Sequence, residues 1–206
     1  MKLYTYDPAP NPMRLGLFMK HKGIELDTQQ VDLMSGEQLG EEYLSIVPDG
    51  TVPALVLDDG TVLSEVIGIC AYLEALYPEK PLMGTTPAEK GQVLGWSHHL
   101  FNTLVIAIAE VFRNGSPAFE NRALPGPLDL AQIPELVERG HKRLDFGWSH
   151  MDKVLEGKTW LAGDNISLAD IDMLACVSFS NWIKSTPPES CTNIYSHVAR
   201  VKEALA

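Results

Sequence analysis

The run from Asp49 to Val66 constrains this chain most, because it packs four structural signals into one short stretch. Ala54–Leu57 and Thr61–Leu63 are short runs rich in strand-forming residues. Asp59-Gly60 between them is a strong hairpin signal, since glycine accepts the positive φ that a tight turn demands. Ser64-Glu65 then opens an apolar series at Val66, Ile69, Cys70, Leu73 and Tyr77, which is helical spacing. Pro53 falls where a strand starts, a place that tolerates the missing N–H. A cis Val52-Pro53 bond would turn neighbouring backbone groups outward. Those groups and a helix N-terminus at Glu65-Val66 would face one side, which suits an extended, peptide-like anion.

The sequence before this run alternates strands and helices. Leu3–Tyr6 reads as a strand and Asp7–Pro12 as a loop, because Pro8, Pro10 and Pro12 forbid regular pairing. Asn11 is the expected N-cap of a helix with Pro12 at its first position, running to Lys22 and closed by Gly23. Thr28–Leu33 is a second strand and Ser35–Leu44 a poor helix containing Gly36 and Gly40. The order β-α-β-α-β-β-α to Pro78 predicts a mixed sheet with helices packed on it, a thioredoxin-like domain.

Beyond a Pro- and Gly-rich linker at 79–86, the pattern over 87–206 is helical. Thr86-Pro87-Ala88-Glu89 is a capping box that starts a helix reaching about Arg113. Pro134–Glu156 is a second long helix, and the region 117–133 is a loop with helical fragments. Ser167-Leu168-Ala169-Asp170 is another capping box, which assigns Asp170 to folding rather than to chemistry. The almost wholly apolar helix that follows to Trp182 is the expected centre of this domain. Asn193–Leu205 forms a last helix.

Charge and cysteine content narrow the function. A formal net charge of −11 opposes binding to nucleic acid or an anionic membrane. The longest apolar segment, Leu104–Ala109, is far too short to cross a bilayer. Met1–Tyr6 lacks a signal peptide's apolar core. Cys70, Cys176 and Cys191 form no CxxC pattern, so a reducing cytoplasm is expected.

Among candidate functional residues, Asn11 is either a plain cap or, with the helix behind it, a stabiliser of an incoming thiolate. Glu65 is either a charge–dipole contact or the partner of a ligand ammonium group. His98 and His99 are adjacent, so on a helix their rings diverge and cannot share a metal; no metal is expected. Arg139–Arg143 is expected to be a solvated basic face, and Cys70 and Cys176 core residues. Trp96, Phe101, Phe112, Phe119 and Trp182 are expected mostly in the core. Phe112 and Phe119 lie at a helix end and in the next loop, where they can line an apolar pocket.

Several of these motifs, in this order, resemble the cytosolic glutathione transferases. They are the Pro10-Asn11-Pro12 loop before the helix ending Lys22-Gly23-Ile24, Val52-Pro53, Ser64-Glu65, Pro81-Leu82-Met83-Gly84 and the Leu161–Asp170 segment. The resemblance covers nearly the whole chain and is greatest to bacterial members. It implies a thioredoxin-like domain followed by a helical bundle, usually as a homodimer. It implies glutathione as co-substrate, with Val52 pairing its cysteinyl backbone, a cis Pro53, and Glu65 and Val66 at the γ-glutamyl end. Gln38 and Thr51 fall where the glycyl carboxylate and nearby backbone are contacted, and Pro10, Phe112 and Phe119 where the second substrate would sit.

Two positions depart from the family pattern. Ala9 stands where a Ser, Thr or Cys commonly activates the thiol, and Val66 where a Ser or Thr usually follows the glutamate. Asn11 remains as the polar group, and Tyr6 lies near the catalytic tyrosine of other classes. The implied activity is conjugation of the glutathione thiolate to an apolar electrophile. The alternatives are a glutathione-dependent disulfide reductase or peroxidase using the same site, and a non-catalytic binding protein.

Overall fold

The computed structural model describes residues 1–206. The chain divides into two compact units, one made of residues 1–80 with 124–129 and the other of residues 81–123 with 130–206.

The first unit holds a four-stranded sheet of β1 (Lys2–Thr5), β2 (Asp27–Gln30), β3 (Ala54–Val56) and β4 (Val62–Leu63), in the spatial order β2-β1-β3-β4. β1 and β2 are parallel, and the other two pairings are antiparallel. The parallel pair requires a crossover, which is α1 (Pro10–Lys22). The antiparallel pair β3–β4 needs only the Asp59-Gly60 turn, where Gly60 has φ 86° and the Leu57 N–H donates to Thr61 O at 2.8 Å. α3 (Val66–Leu76) packs beside α1. Tyr4, Val31, Tyr43, Val47 and Ala54 form a buried cluster of this unit.

Two expectations need correction here. The region Ser35–Leu44 is not one helix: a 3-10 turn at Glu37–Leu39 is followed by α2 (Glu41–Ile46). Gly36, at φ 84°, precedes the 3-10 turn and an extended Gly40 separates that turn from α2, so the two glycines act as boundaries rather than weak interior residues. Asn11 is not the N-cap of α1. Ala9 occupies that place in extended conformation, with Pro10 at the first helical position.

The second unit is helical: α4 (Pro87–Leu100), α5 (Ile106–Gly115), α6 (Pro134–Val154), α7 (Leu168–Ser180) and α8 (Thr192–Ala204). α4 and α5 run on through a π turn at Phe101–Val105, which the sequence pattern did not signal. The Thr86–Glu89 and Ser167–Asp170 capping boxes both form. Twelve of the thirteen residues of α7 are buried, as its apolar composition predicts. Cys70 and Cys176 are buried, whereas Phe101 and Trp182 are 42% and 46% exposed and so are not core residues. Arg139 and Arg143 are not simply solvated, since both pair with Glu110. No helix is long and apolar enough to cross a membrane.

Two glycines set the spacing of α6 against α5 and the π turn. A Cβ on Gly140 would lie 2.6 Å from Val111 Cγ2 and 2.9 Å from Ala107 O, and one on Gly147 would lie 2.7 Å from Leu104 Cδ2. The carbonyl cannot swing away as a side chain can. Gly140→Ala is therefore expected to destabilise the fold by about 1–3 kcal/mol, the usual cost of overpacking. Urea unfolding of the two proteins checks this, and equal midpoints would mean that the helices separate freely.

Candidate functional site

The candidate site lies at one end of the sheet and is fixed by strand register. β1 pairs antiparallel with β3 through Tyr4↔Ala54, so continuing that register sets Tyr6 opposite Val52. β3 pairs with β4 through Leu55↔Leu63, so Pro53 comes opposite Glu65. The end of β1, the start of β3 and the end of β4 thus share one edge. α1 starts just after the first of these segments and α3 just after the last.

At the start of β3 the Val52-Pro53 bond is cis. Neither the N–H nor the C=O of Val52 hydrogen-bonds within the chain, so the segment offers an open strand edge to an extended peptide. Its neighbour Thr51 is held from behind, because the Tyr43 hydroxyl donates to Thr51 O at 2.7 Å. Burial, with smaller contributions from Tyr4 and Glu37, pushes the Tyr43 phenol well above its usual pKa, so it stays a neutral donor.

Glu65 precedes α3 as its N-cap with φ 62° and ψ 118°, rather than sitting in the first turn as the sequence suggests. A non-glycine residue there is strained, and such strain concentrates at ligand sites. The Glu65 carboxylate is exposed and caps no backbone group. Ile69 N donates to Glu65 O at 3.1 Å, so the N–H groups of Val66, Ile67 and Gly68 are the orphan donors of this helix. The first turn carries no acidic residue. These donors and the helix dipole make a place for a carboxylate.

Gln38 is buried, and its Oε1 has no hydrogen-bond partner. Its backbone carbonyl packs on Gly50, where a Cβ would come within 3.0 Å and where φ is 59°. A buried amide oxygen without a partner is costly unless a ligand supplies one. The oxygen and nitrogen ends of the side chain can exchange, so an anion there would meet the NH₂ end.

The start of α1 is unusually poor in donors. Pro10 and Pro12 have no N–H. Ala9 N donates to Tyr6 O at 2.8 Å and Met13 N to Ala9 O at 2.9 Å. Only the Asn11 N–H remains. The Asn11 side chain adds a second donor, for a reason outside the sequence pattern. Arg14 Nη1 donates to Asn11 Oδ1 at 2.9 Å. An arginine can only donate, so the Asn11 oxygen faces Arg14 and its NH₂ is left for another partner. Ala9 contributes no side-chain donor. Tyr6 accepts the Ala9 N–H through its carbonyl, at the end of β1.

The structure thus gathers Pro10, Asn11, Thr51, Val52, Pro53, Glu65 and Val66 along one sheet end, with Gln38 reached through Gly50. Phe112 and Phe119 belong to the second unit, where their ring centres lie 4.8 Å apart. Phe179 and Trp182 extend that cluster, at 5.7 Å and 5.3 Å from Phe112, and the Arg113 guanidinium lies 4.7 Å from the Phe119 ring centre. Sequence reading missed Arg14, Tyr43 and Phe179, whose contributions arise only from contacts.

Comparison with known proteins settles the family. Residues 9–76 match the model for the glutathione S-transferase N-terminal domain, and residues 132–205 the model for its C-terminal domain. The chain is 30% identical to glutathione S-transferase 2 of Saccharomyces cerevisiae over 206 residues, covering 98% of this chain and 86% of the relative. The chain belongs to the glutathione S-transferase family. Within that family it is similar in structure to a glutathione S-transferase domain-containing protein from Marinobacter aquaeolei. The TM-score is 0.90 at 26% identity, with both chains fully covered. It is also similar to Gtt2 from Saccharomyces cerevisiae, with a TM-score of 0.87 at 29% identity, covering 99% of this chain and 100% of that one. These transferases share its architecture of a thioredoxin-like sheet domain followed by a helical domain.

Proposed function

We propose that this member of the family binds glutathione at the sheet end and conjugates its thiolate to an apolar electrophile. The observation that carries the reading is the open backbone of Val52, the orphan N–H groups at the α3 N-terminus and the buried Gln38 side chain, whose Oε1 has no partner. Glutathione is an extended tripeptide with a carboxylate at each end and one ammonium group. Val52 pairs with its cysteinyl backbone, and Pro53 and Thr51 shape that edge. The N–H groups at Val66 and beyond take the γ-glutamyl carboxylate, Glu65 takes the ammonium, and Gln38 takes the glycyl carboxylate.

The thiol then faces the start of α1. The Asn11 N–H and NH₂ donate to the sulfur, and the helix dipole favours the anion, so the thiol gives its proton to solvent. The thiolate attacks the electrophile, a carbon–sulfur bond forms, and the leaving group departs with its electron pair. Within the second unit, Phe112 and Phe119 form an aromatic cluster of the kind that suits an apolar electrophile. The protein works in the cytoplasm as a homodimer, a reading supported by its family and by three buried cysteines that form no disulfide.

Ala9 favours a second reading, a glutathione-binding protein without conjugating activity, because the cap residue lacks a hydroxyl. Initial rates with glutathione and a halonitroarene separate the two. The enzyme reading expects turnover above the uncatalysed rate, falling about tenfold in Asn11→Ala, since a hydrogen bond to a charged group contributes roughly 1.5–3 kcal/mol. No turnover above background would leave only the binding role.

A further inference from the structure

The second unit contains a pair of histidines that the glutathione site does not use. His99 on α4 and His150 on α6 have ring centres 5.3 Å apart and planes tilted by 53°. Two imidazoles on one tetrahedral ion, with metal–nitrogen bonds of about 2.0–2.1 Å, place their ring centres roughly 5 Å apart. We propose that His99 and His150 form a divalent transition-metal site that clips α4 to α6, taking Zn²⁺, Ni²⁺ or Cu²⁺.

The surroundings hold both rings in place. Trp96 meets His99 edge-on at 5.4 Å, and Phe146 stacks on His150 at 5.8 Å with planes 5° apart. The Thr103 hydroxyl lies 3.4 Å from His99 Nε2, as an outer partner that orients a ligating imidazole. Neither nitrogen of His150 hydrogen-bonds within the chain. Gly147, one turn before His150, lets α6 approach Thr103, one turn after His99. The approach that brings the helices together therefore also brings the rings together.

His98 marks the contrast, because the helical turn points it away from its neighbour His99. No group of three or more histidines, cysteines or carboxylates forms here, so water completes the coordination. Imidazole ligands suit zinc, nickel and copper and exclude calcium and magnesium.

The test uses the full, tag-free chain. Calorimetric titration with Zn²⁺ and Ni²⁺ is expected to give one equivalent bound per chain, with a rise in thermal midpoint that a chelator reverses. His99→Gln and His150→Gln are each expected to weaken binding at least tenfold, and His98→Gln to change it less than twofold. The electron paramagnetic resonance spectrum of the wild-type chain with one equivalent of Cu²⁺ stands even if a variant fails to fold. Two imidazole nitrogens in the equatorial plane are expected. No saturable binding, a single bound nitrogen, or an equal loss in His98→Gln would overturn the site.

Discussion

Asp170→Ala is expected to cost about 3–5 kcal/mol, several times the ~1 kcal/mol of an ordinary helix cap. The carboxylate is wholly buried, and it does more than close the capping box. Oδ2 accepts from the Ser167 N–H and hydroxyl, each at 2.8 Å, and Oδ1 accepts from the Leu161 N–H, also at 2.8 Å. His197 Nε2 lies 3.2 Å from the same Oδ1. Removing the side chain strands two buried backbone donors, and each buried group left unsatisfied costs about 1–3 kcal/mol. Asp170→Asn keeps one acceptor oxygen and is expected to fall between the two. Urea unfolding followed by tryptophan fluorescence measures all three. A loss no larger than that of an exposed cap would show that Ser167 and Leu161 find other partners.

The second large effect belongs to Glu65. Glu65→Ala is expected to weaken glutathione binding by roughly 1.5–3 kcal/mol, about tenfold to a hundredfold, because it removes the partner of the ammonium group. Glu65→Gly sharpens the test. The backbone here has φ 62°, which glycine adopts without the penalty a side chain incurs. Glu65→Gly is therefore expected to lose the same affinity while holding or gaining stability. That outcome would identify the strain as maintained for the ligand. Titration calorimetry and denaturant melts on the three proteins decide it. Unchanged affinity in both variants would remove Glu65 from the site.

Features coded by near neighbours were legible in the sequence. Asp59-Gly60 gave the hairpin, and Thr86–Glu89 and Ser167–Asp170 gave two helix starts, whereas Val52-Pro53 by itself only allowed the cis bond that the family resemblance implied. The start of α1 was misplaced by two residues because Pro10 and Pro12 both qualify for the first helical position. Only the backbone shows that Ala9 is the cap, which changes Asn11 from a capping group into a free donor. The π turn at Phe101–Val105 was hidden because its residues continue the helical pattern of their neighbours.

Contacts between segments distant in sequence were not legible. The Tyr43 hydroxyl on Thr51 and the stranded Gln38 amide depend on how the α2 region folds against Gly50. Periodicity cannot reveal that, because the two glycines break the pattern there. Arg14 orienting Asn11 is a contact between residues three apart. It was concealed by the misplaced start of the helix.

The central claim is that the start of α1 stabilises a thiolate without a hydroxyl, and the thiol pKa of bound glutathione tests it most directly. Free thiols titrate near 8.5, and thiols at helix N-termini at about 3.5–7.5. With the bound value lowered, affinity must rise with pH between the bound and free pKa values, since binding releases a proton in that window. The measurement is the ultraviolet absorbance of the thiolate against pH, for wild-type protein saturated with glutathione and for Asn11→Ala. The account predicts a midpoint below the free value in the wild type and a return toward it in the variant. A wild-type midpoint equal to that of free glutathione would contradict it.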